Sequence, residues 1–355
     1  MAVSKQQNKM NKPEIDTFRK KILSWYDRHQ RVLPWRAATG KKPNPYYVWL
    51  SEIMLQQTTV ATVGPYFQKF IEKWPTIHDL AKATRDDIMH EWAGLGYYAR
   101  ARNLHKCAQM VSGDLKGIFP EDQKELEKLA GIGGYTSAAI RAIAFNKPAN
   151  VVDGNIERVM ARIYAMTQPL PDSKASLKNL AAGLSDGRED RPGDYAQGLM
   201  DLGATICTPK SPKCSLCPVQ DMCLGKAQGI AETLPRKKPK GLKPQKYGRV
   251  YWITNDNGEV LFERRGEQKM LGGMLGLPTS EWLEKLPSRP PKGFKNSKLA
   301  VLHSFTHFDL KLDIYEGSHQ NTLISPEKDH FWVRSLEIKD LGLPTLFFKV
   351  AKLMK

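Results

Sequence analysis

Residues 235–246, PRKKPKGLKPQK, carry six basic residues, three prolines and no acid. Such a run has almost nothing apolar to bury, and its prolines withhold backbone donors, so no core forms through it. The chain must fold on either side of it. The run reads as an extended linker, and its charge equally suits a phosphate backbone. Its flanks differ in kind. From residue 14 to about 230 the apolar spacing is helical: EIDTFRKKILSWYDRH places Ile15, Phe18, Ile22, Leu23 and Tyr26 near one face. TIHDLAKA, RDDIMHEWAGLG, RARNLHKCAQMVSG and QKELEKLA add short helices punctuated by Gly or Pro. No strand is expected there. Beyond the run, YGRVYWITNDNGEVLFERR sets two β-rich stretches around an Asn-Gly turn. Phe308, Leu310, Leu312 and Ile314 then alternate with Asp309, Lys311 and Asp313, a strand with one buried face. PTLFFKVAKLMK closes the chain as an amphipathic helix. The expectation is a multidomain protein: an all-α region over 1–234, a linker over 235–246, and an α+β domain over 247–355.

Charge narrows the partner. Lys and Arg number 54 against 37 Asp and Glu, a net charge of +17, which points to a polyanion, either nucleic acid or an acidic membrane. No apolar run approaches membrane-spanning length. The first dozen residues, MAVSKQQNKMNK, lack the apolar core of a secretory signal. A soluble, monomeric, cytoplasmic protein that binds nucleic acid and no membrane is expected. Four of the five cysteines fall within 207–223, which in such a protein suggests metal rather than disulfides. Cys107 sits in a helical pattern as a small apolar side chain.

Three stretches carry chemistry. LAGIGGYTSAAI, 129–140, is a candidate helix–hairpin–helix spanning about 121–146, with Gly131 and Gly133 in the hairpin and Tyr135 opening the second helix. Bare glycines let a phosphate approach backbone N–H groups, and a helix N-terminus favours an anion. An ordinary glycine-capped turn has the same pattern; the basic charge favours phosphate. Cys207, Cys214, Cys217 and Cys223 are spaced C-x6-C-x2-C-x5-C. Four thiolates hold either a 4Fe–4S cluster or a tetrahedral zinc. The spacing departs from paired C-x2-C zinc knuckles and leans toward iron–sulfur, in a structural role pinning a loop that contains Lys210 and Lys213.

The third stretch holds Glu52, the only acid in NPYYVWLSEIMLQQT. Its helical neighbours Val48, Trp49 and Leu55 are apolar, so desolvation should raise its pKa and keep a proton on it near neutral pH, as a general acid requires. A head group reaching solvent or a buried Arg is the plainer reading; the penalty for burying an isolated acid favours function. Asp153, in NVVDGNIERVMARIYAM, reads as an N-cap, whose bonds would also favour its ionised form. Two carboxyl groups held in opposite protonation states suit glycosidic bond cleavage.

Together these residues resemble the endonuclease III superfamily of base-excision DNA glycosylases over about residues 15–225. Within it, LPWR at 33–36, SEIMLQQT at 51–58 and GLGYYARARNLH at 94–105 resemble the MutY family of adenine glycosylases. The resemblance implies a 4Fe–4S cluster on the four cysteines and removal of adenine opposite 8-oxoguanine or guanine in double-stranded DNA. It implies that Glu52 protonates the extruded purine, that Asp153 stabilises the cationic sugar, and that Asn155 is their polar partner. Lyase members carry lysine where this chain has Tyr135; a phenol forms no imine, so a monofunctional enzyme is implied. Gln57 and Tyr97 match positions that wedge into the base stack, with Thr58 and Leu95 beside them, and Arg31 and Trp35 match residues near the base pocket. The C-terminal domain resembles a Nudix-like domain through HSFTH at 303–307, where Phe305, Thr306 and His307 match a loop reading 8-oxoguanine. Nudix hydrolases need a Glu six residues after a Gly; here Pro278 follows Gly272 and Thr279 follows Gly273 at that distance, so recognition without hydrolysis is implied. A lyase acting on oxidised pyrimidines, a non-catalytic DNA-binding iron–sulfur protein and a nucleotide pyrophosphatase are the alternatives. Tyr135, the two carboxylates and the missing box weigh against them in turn.

Overall fold

The computed structural model describes residues 10–38, 40–239, 241–286, 292–321 and 329–354. The N-terminal nine residues and Lys240 of the basic run lie outside these. The helices are α1 (Lys12–His29), α2 (Pro45–Leu55), α3 (Val60–Lys73), α4 (Ile77–Lys82), α5 (Arg85–Glu91), α6 (Ala99–Gly113), α7 (Gln123–Glu127), α8 (Gly134–Phe145), α9 (Gly154–Ile163), α10 (Lys174–Ser185), α11 (Pro192–Thr205), α12 (Leu224–Ala227) and α13 (Thr345–Leu353). No helix among the described residues is long and apolar enough to cross a membrane.

The chain divides into two compact units, Met1–His78 with Cys107–Pro239, and Asp79–Lys106 with Lys240–Lys355. The first is helical. Its core includes Phe18, Ile22 and Tyr26 of α1, which pack with Val159 and Met160 of α9 and Leu199 of α11. Helix starts follow capping chemistry: Asn11 and Glu14 form a reciprocal capping box on α1, Asn44 caps α2 with Pro45 in its first turn, and Asp153 caps α9. Cys107 is fully buried, and burial pushes its thiol up to about 12, so it is a neutral packing residue. The first hairpin helix is shorter than QKELEKLA suggests. It stops after Glu127, where tight bonds from Leu129 N to Leu126 O (3.1 Å) and Ile132 N to Leu129 O (3.1 Å) replace the helical pattern.

The second unit holds a six-stranded sheet: β1 (Gln245–Thr254), β2 (Val260–Arg264), β3 (Leu275–Gly276), β4 (Lys295–Ser304), β5 (Asp309–Ser318) and β6 (His330–Val333). The order is β3-β2-β1-β5-β4, with β6 on β2. The expected hairpin is present, Thr254 facing Val260 across β1 and β2. β1 also runs parallel to β5, from Gln245 opposite Asp309 to Thr254 opposite Ser318. Parallel pairing needs a long crossover, which local patterning does not reveal. Leu310, Leu312 and Ile314 are buried as their alternation requires, against Phe347 and Val350 of α13. Residues 79–106 join this unit through Arg264 Nη2 to Asp86 Oδ2 (2.7 Å) and the Arg85–Glu267 pair.

The basic run is anchored within each unit. Leu170 N donates to Arg236 O (2.8 Å) and Lys238 N to Leu170 O (3.0 Å) in the helical unit. Lys243 Nζ donates to Ser304 Oγ (3.0 Å) and Phe305 O (2.9 Å) in the sheet unit.

Candidate active site

Glu52 lies on a helix with nowhere else to hide a charge. Val48, Trp49, Leu50, Ile53 and Met54 of α2 are all buried, and Glu52 itself is 7% exposed. Its carboxyl is pushed up to about 7, first by burial; the Tyr135 hydrogen bond and Arg36 oppose this, while the charge of Asp153 adds to it. Near neutral pH this group therefore exchanges a proton readily. Tyr135, at the start of α8, donates from its hydroxyl to Glu52 Oε2 at 2.8 Å. Burial, then the charges of Glu52 and Asp153, hold the phenol well above its ordinary value of 10, so it remains a donor.

Asp153 does two jobs with two oxygens. Oδ1 accepts from Ile156 N at 2.7 Å, the N-cap bond of α9, and Oδ2 accepts from Asn155 Nδ2 at 2.8 Å. Asn155 is held in turn: its Oδ1 accepts from Arg158 Nη2 at 2.9 Å. Arg158 also donates to Gly203 O (2.6 Å) and, through Nε, to Cys207 O (2.7 Å). Gly203 of α11 permits this approach, because a Cβ there would lie 2.6 Å from Asn155 Cβ. Arg158 and Gly203 were not singled out from sequence. Neither carries a local signal, since each matters only through the other's helix.

Cys207, Cys214, Cys217 and Cys223 line one cavity, otherwise walled largely by apolar groups such as Val159, Ile163 and Val219. Among the described residues no set of three or more His, Cys, Asp or Glu closes on a single ion. Four thiols round one shared cavity are the donor set that an iron–sulfur cluster takes. Burial pushes the Cys217 thiol up to about 12; a metal group held there would be ligated by the thiolate form. Arg162 is 1% exposed. Its Nη1 lies 3.2 Å from Cys207 Sγ, and it holds the carbonyls of Thr208 and Leu234. When bound, the cluster supplies the cross-link that pins the 207–223 loop.

A second cavity is bordered by Arg31, Trp35, Arg36, Ser51, Glu52 and Gln197. It brings the predicted pocket residues Arg31 and Trp35 to the predicted acid; Gln197 of α11 is an addition. In the hairpin, Gly131 has φ 76°, where a side chain would be strained. Gly133 precedes α8, no side chain caps that helix, and a Cβ on Gly133 would meet nothing. The hairpin is therefore open to an anion at the α8 N-terminus. Gln57 and Tyr97 both adopt left-handed backbone, φ 60° and 48°, uncommon for such residues and concentrated at functional positions. Thr58 follows Gln57 in the turn, its N–H bonded to Leu55 O at 3.2 Å.

In the second unit, Phe305 N donates to Phe308 O (2.9 Å), closing the turn from β4 to β5. Phe305 stacks on Trp282 at 5.5 Å, while Thr306 and His307 are exposed. Tyr97, 49% exposed, lies with its hydroxyl 2.9 Å from Thr306 Oγ1. Leu95 is buried at 5% exposure, and its carbonyl accepts from Arg100 Nη2 at 3.0 Å.

The fold and these groups place the chain among helix–hairpin–helix repair proteins. Residues 50–182 match the HhH-GPD superfamily of base excision DNA repair proteins, 207–223 the iron–sulfur binding domain of endonuclease III, and 249–353 the NUDIX domain. A thermostable thymine-DNA glycosylase is similar in structure, with a TM-score of 0.52 and 30% identity over 60% of this chain and 97% of that one. Endonuclease III in a non-covalent DNA complex shares the fold at 22% identity and a TM-score of 0.51, over 62% of this chain and 99% of that one. An adenine DNA glycosylase of Buchnera aphidicola subsp. Schizaphis graminum (strain Sg) is 33% identical over 351 residues, covering 96% of this chain and 99% of its own length. One from Rattus norvegicus is 44% identical over 232 residues, covering 62% of this chain and 45% of its own length. The chain thus spans less than half of the mammalian relatives it matches and nearly all of the bacterial one. It belongs to the adenine DNA glycosylase family, whose iron–sulfur domain provides for a 4Fe–4S cluster.

Proposed function

We propose that this chain is a monofunctional DNA glycosylase that hydrolyses the N-glycosidic bond of adenine opposite 8-oxoguanine or guanine in duplex DNA. The observation that carries it is the Tyr135–Glu52 bond of 2.8 Å, made by a carboxyl that also borders the cavity lined by Arg31 and Trp35. A buried carboxyl near pKa 7 protonates the extruded adenine and makes it a better leaving group. Asp153, kept in place by the Ile156 and Asn155 bonds, stabilises the positive charge that develops on the sugar. Glu52, now deprotonated, accepts a proton from the incoming water. Tyr135 offers a phenol where a lyase needs an amine, so no Schiff base forms and the strand stays intact. Gly131, Gly133 and the uncapped α8 hold a phosphate, with Gln57 and Tyr97 wedging the stack. Phe305, Thr306 and His307 read the oxidised guanine; the hydroxyl of Thr306 accepts from the N7 hydrogen that guanine lacks.

The working division is a glycosylase region over 1–234, a basic linker over 235–246 and a lesion-reading domain over 247–355, acting as a monomer in the cytoplasm. Single-turnover excision from duplexes carrying adenine opposite 8-oxoguanine, guanine or thymine, with and without alkali, tests the reading. Strand breaks should appear only after alkali and only from the first two duplexes. Nicking without alkali, trapped by borohydride, would instead mark a lyase.

A further inference from the structure

Asp201, in MDLGATIC of α11, lies outside the glycine hairpin, the cysteine loop and the stretches that hold Glu52 and Asp153, yet its side chain is fully buried. A carboxylate at that depth requires partners on both oxygens. It takes four bonds, all from residues 31–36. Oδ1 accepts from Arg31 Nε (2.6 Å) and Arg36 Nη2 (2.8 Å); Oδ2 accepts from Arg31 N (3.0 Å) and Arg36 Nη1 (2.7 Å). Arg36 Nη1 also donates to Arg31 O at 3.1 Å. Burial alone would raise the Asp201 carboxyl, but the bonds and charge of Arg36, then Arg31, hold it below its ordinary value. Residues 31–36 form no helix or strand, and of the six only Trp35 is buried. Val32 is 97% exposed. The segment therefore has little core of its own beyond Trp35, which packs edge-on against Phe67 at 5.4 Å, and Asp201 supplies its four-bond polar anchor. The same segment supplies Arg31, Trp35 and Arg36 to the cavity that Glu52 borders.

We propose that Asp201 is a positioning residue for base removal. It fixes the 31–36 segment so that Arg31 and Trp35 wall the base pocket and the Arg36 charge stays beside Glu52. This rests on the glycosylase reading above. The charged and titratable groups acting on Glu52 are Tyr135 from α8, Asp153 at the start of α9, and Arg36; Asp201 reaches Glu52 only through Arg36. Of the three, Tyr135 and Arg36 favour the ionised form of Glu52 and Asp153 disfavours it, so loosening Arg36 raises the pH at which Glu52 titrates.

Asp201→Asn replaces an accepting oxygen with an NH2 group that faces guanidinium donors and cannot hold them. Three readouts separate positioning from mere stability: single-turnover excision against pH, duplex affinity, and the titration of Glu52 by 13C NMR of labelled glutamates without DNA, its signal assigned by loss in Glu52→Gln. Asp201→Asn should slow excision about a hundredfold and leave duplex affinity unchanged. It should move the Glu52 titration up by about one pH unit, as Arg36→Gln alone should, with no further movement in the double variant. Asp201→Glu, which keeps the charge, should recover part of the rate. A uniform loss of excision with no shift, or shifts that add in the double variant, would overturn the proposal. If Asp201→Asn does not fold, Arg36→Gln decides alone, since an unmoved Glu52 titration defeats it. A parent protein that releases no adenine would sink the glycosylase reading, while the NMR titration still tests Asp201.

Discussion

The helical unit and the sheet unit place their candidate groups in opposite ways. In the helical unit the carboxyl groups and their partners are buried or half-buried, and each is fixed by another: Glu52 by Tyr135, Asp153 by Asn155, Asn155 by Arg158. In the sheet unit, Thr306 and His307 stand exposed on a turn whose aromatic neighbour Phe305 is anchored on Trp282. The contrast follows from the two tasks proposed. Breaking a bond needs shifted pKa values and fixed geometry, which burial supplies. Reading a base in DNA needs accessible hydrogen-bonding groups on a firm support. Substitutions in one unit should therefore abolish chemistry, and in the other change only preference.

The largest effect is expected at Glu52. Glu52→Gln should lower single-turnover excision by about 10²–10⁴, the usual contribution of a general acid, without altering the preference between 8-oxoguanine and guanine opposite adenine. Loss of that preference as well would break the division between the units. The same substitution should stabilise the protein in alkali. The folded pKa of about 7 lies above the ordinary 4.5, so the stability Glu52 contributes is full below about 4.5 and is lost as pH rises through 7. That difference is on the order of 3 kcal/mol at most. Thermal unfolding of Glu52→Gln should therefore gain on the parent at pH 8 and not at pH 4; equal differences at both would contradict a raised pKa.

Arg158→Leu comes next. It removes the donors to Asn155, Gly203 and Cys207 together, and should cost about 10- to 100-fold in excision through misplaced Asn155 and Asp153. Iron content and the 8-oxoguanine preference, measured in the same preparation, tell a loosened loop from a loosened carboxylate. Full iron with slow excision is the expected outcome.

Phe305→Ala with Thr306→Ala tests the other unit. One lost hydrogen bond and a lost stacking anchor should shrink the preference for 8-oxoguanine over guanine by about one to two decades, while the excision rate from the best duplex stays near that of the parent. A preference ratio that does not move would return lesion reading to the helical unit. Lys243→Ala should have the smallest effect. Its bonds to Ser304 Oγ and Phe305 O are exposed, worth about 1 kcal/mol or less each, so the ratio should change severalfold at most.

Much of the helical unit was legible because its signals are local. An apolar helix with one acid, an Asp ahead of a helix, a Gly-rich hairpin and a cysteine spacing are all read within a few residues, and capping and 3.6-residue periodicity act over that range. The alternation of 308–314 placed a strand for the same reason. What stayed hidden depends on separation along the chain. Asp201 meets Arg31 across 170 positions, Arg158 meets Cys207 across 49, and β1 runs beside β5 with some sixty residues between them. Gly203 looks like any helical glycine until Asn155 is found against it. The sequence by itself determined which segments become helices or strands and which residue types carry the chemistry, because propensity and capping are properties of short stretches. Only the tertiary structure decided which buried charges neutralise one another and which backbones come close enough to exclude a side chain, because desolvation and contact depend on neighbours that chain order does not specify.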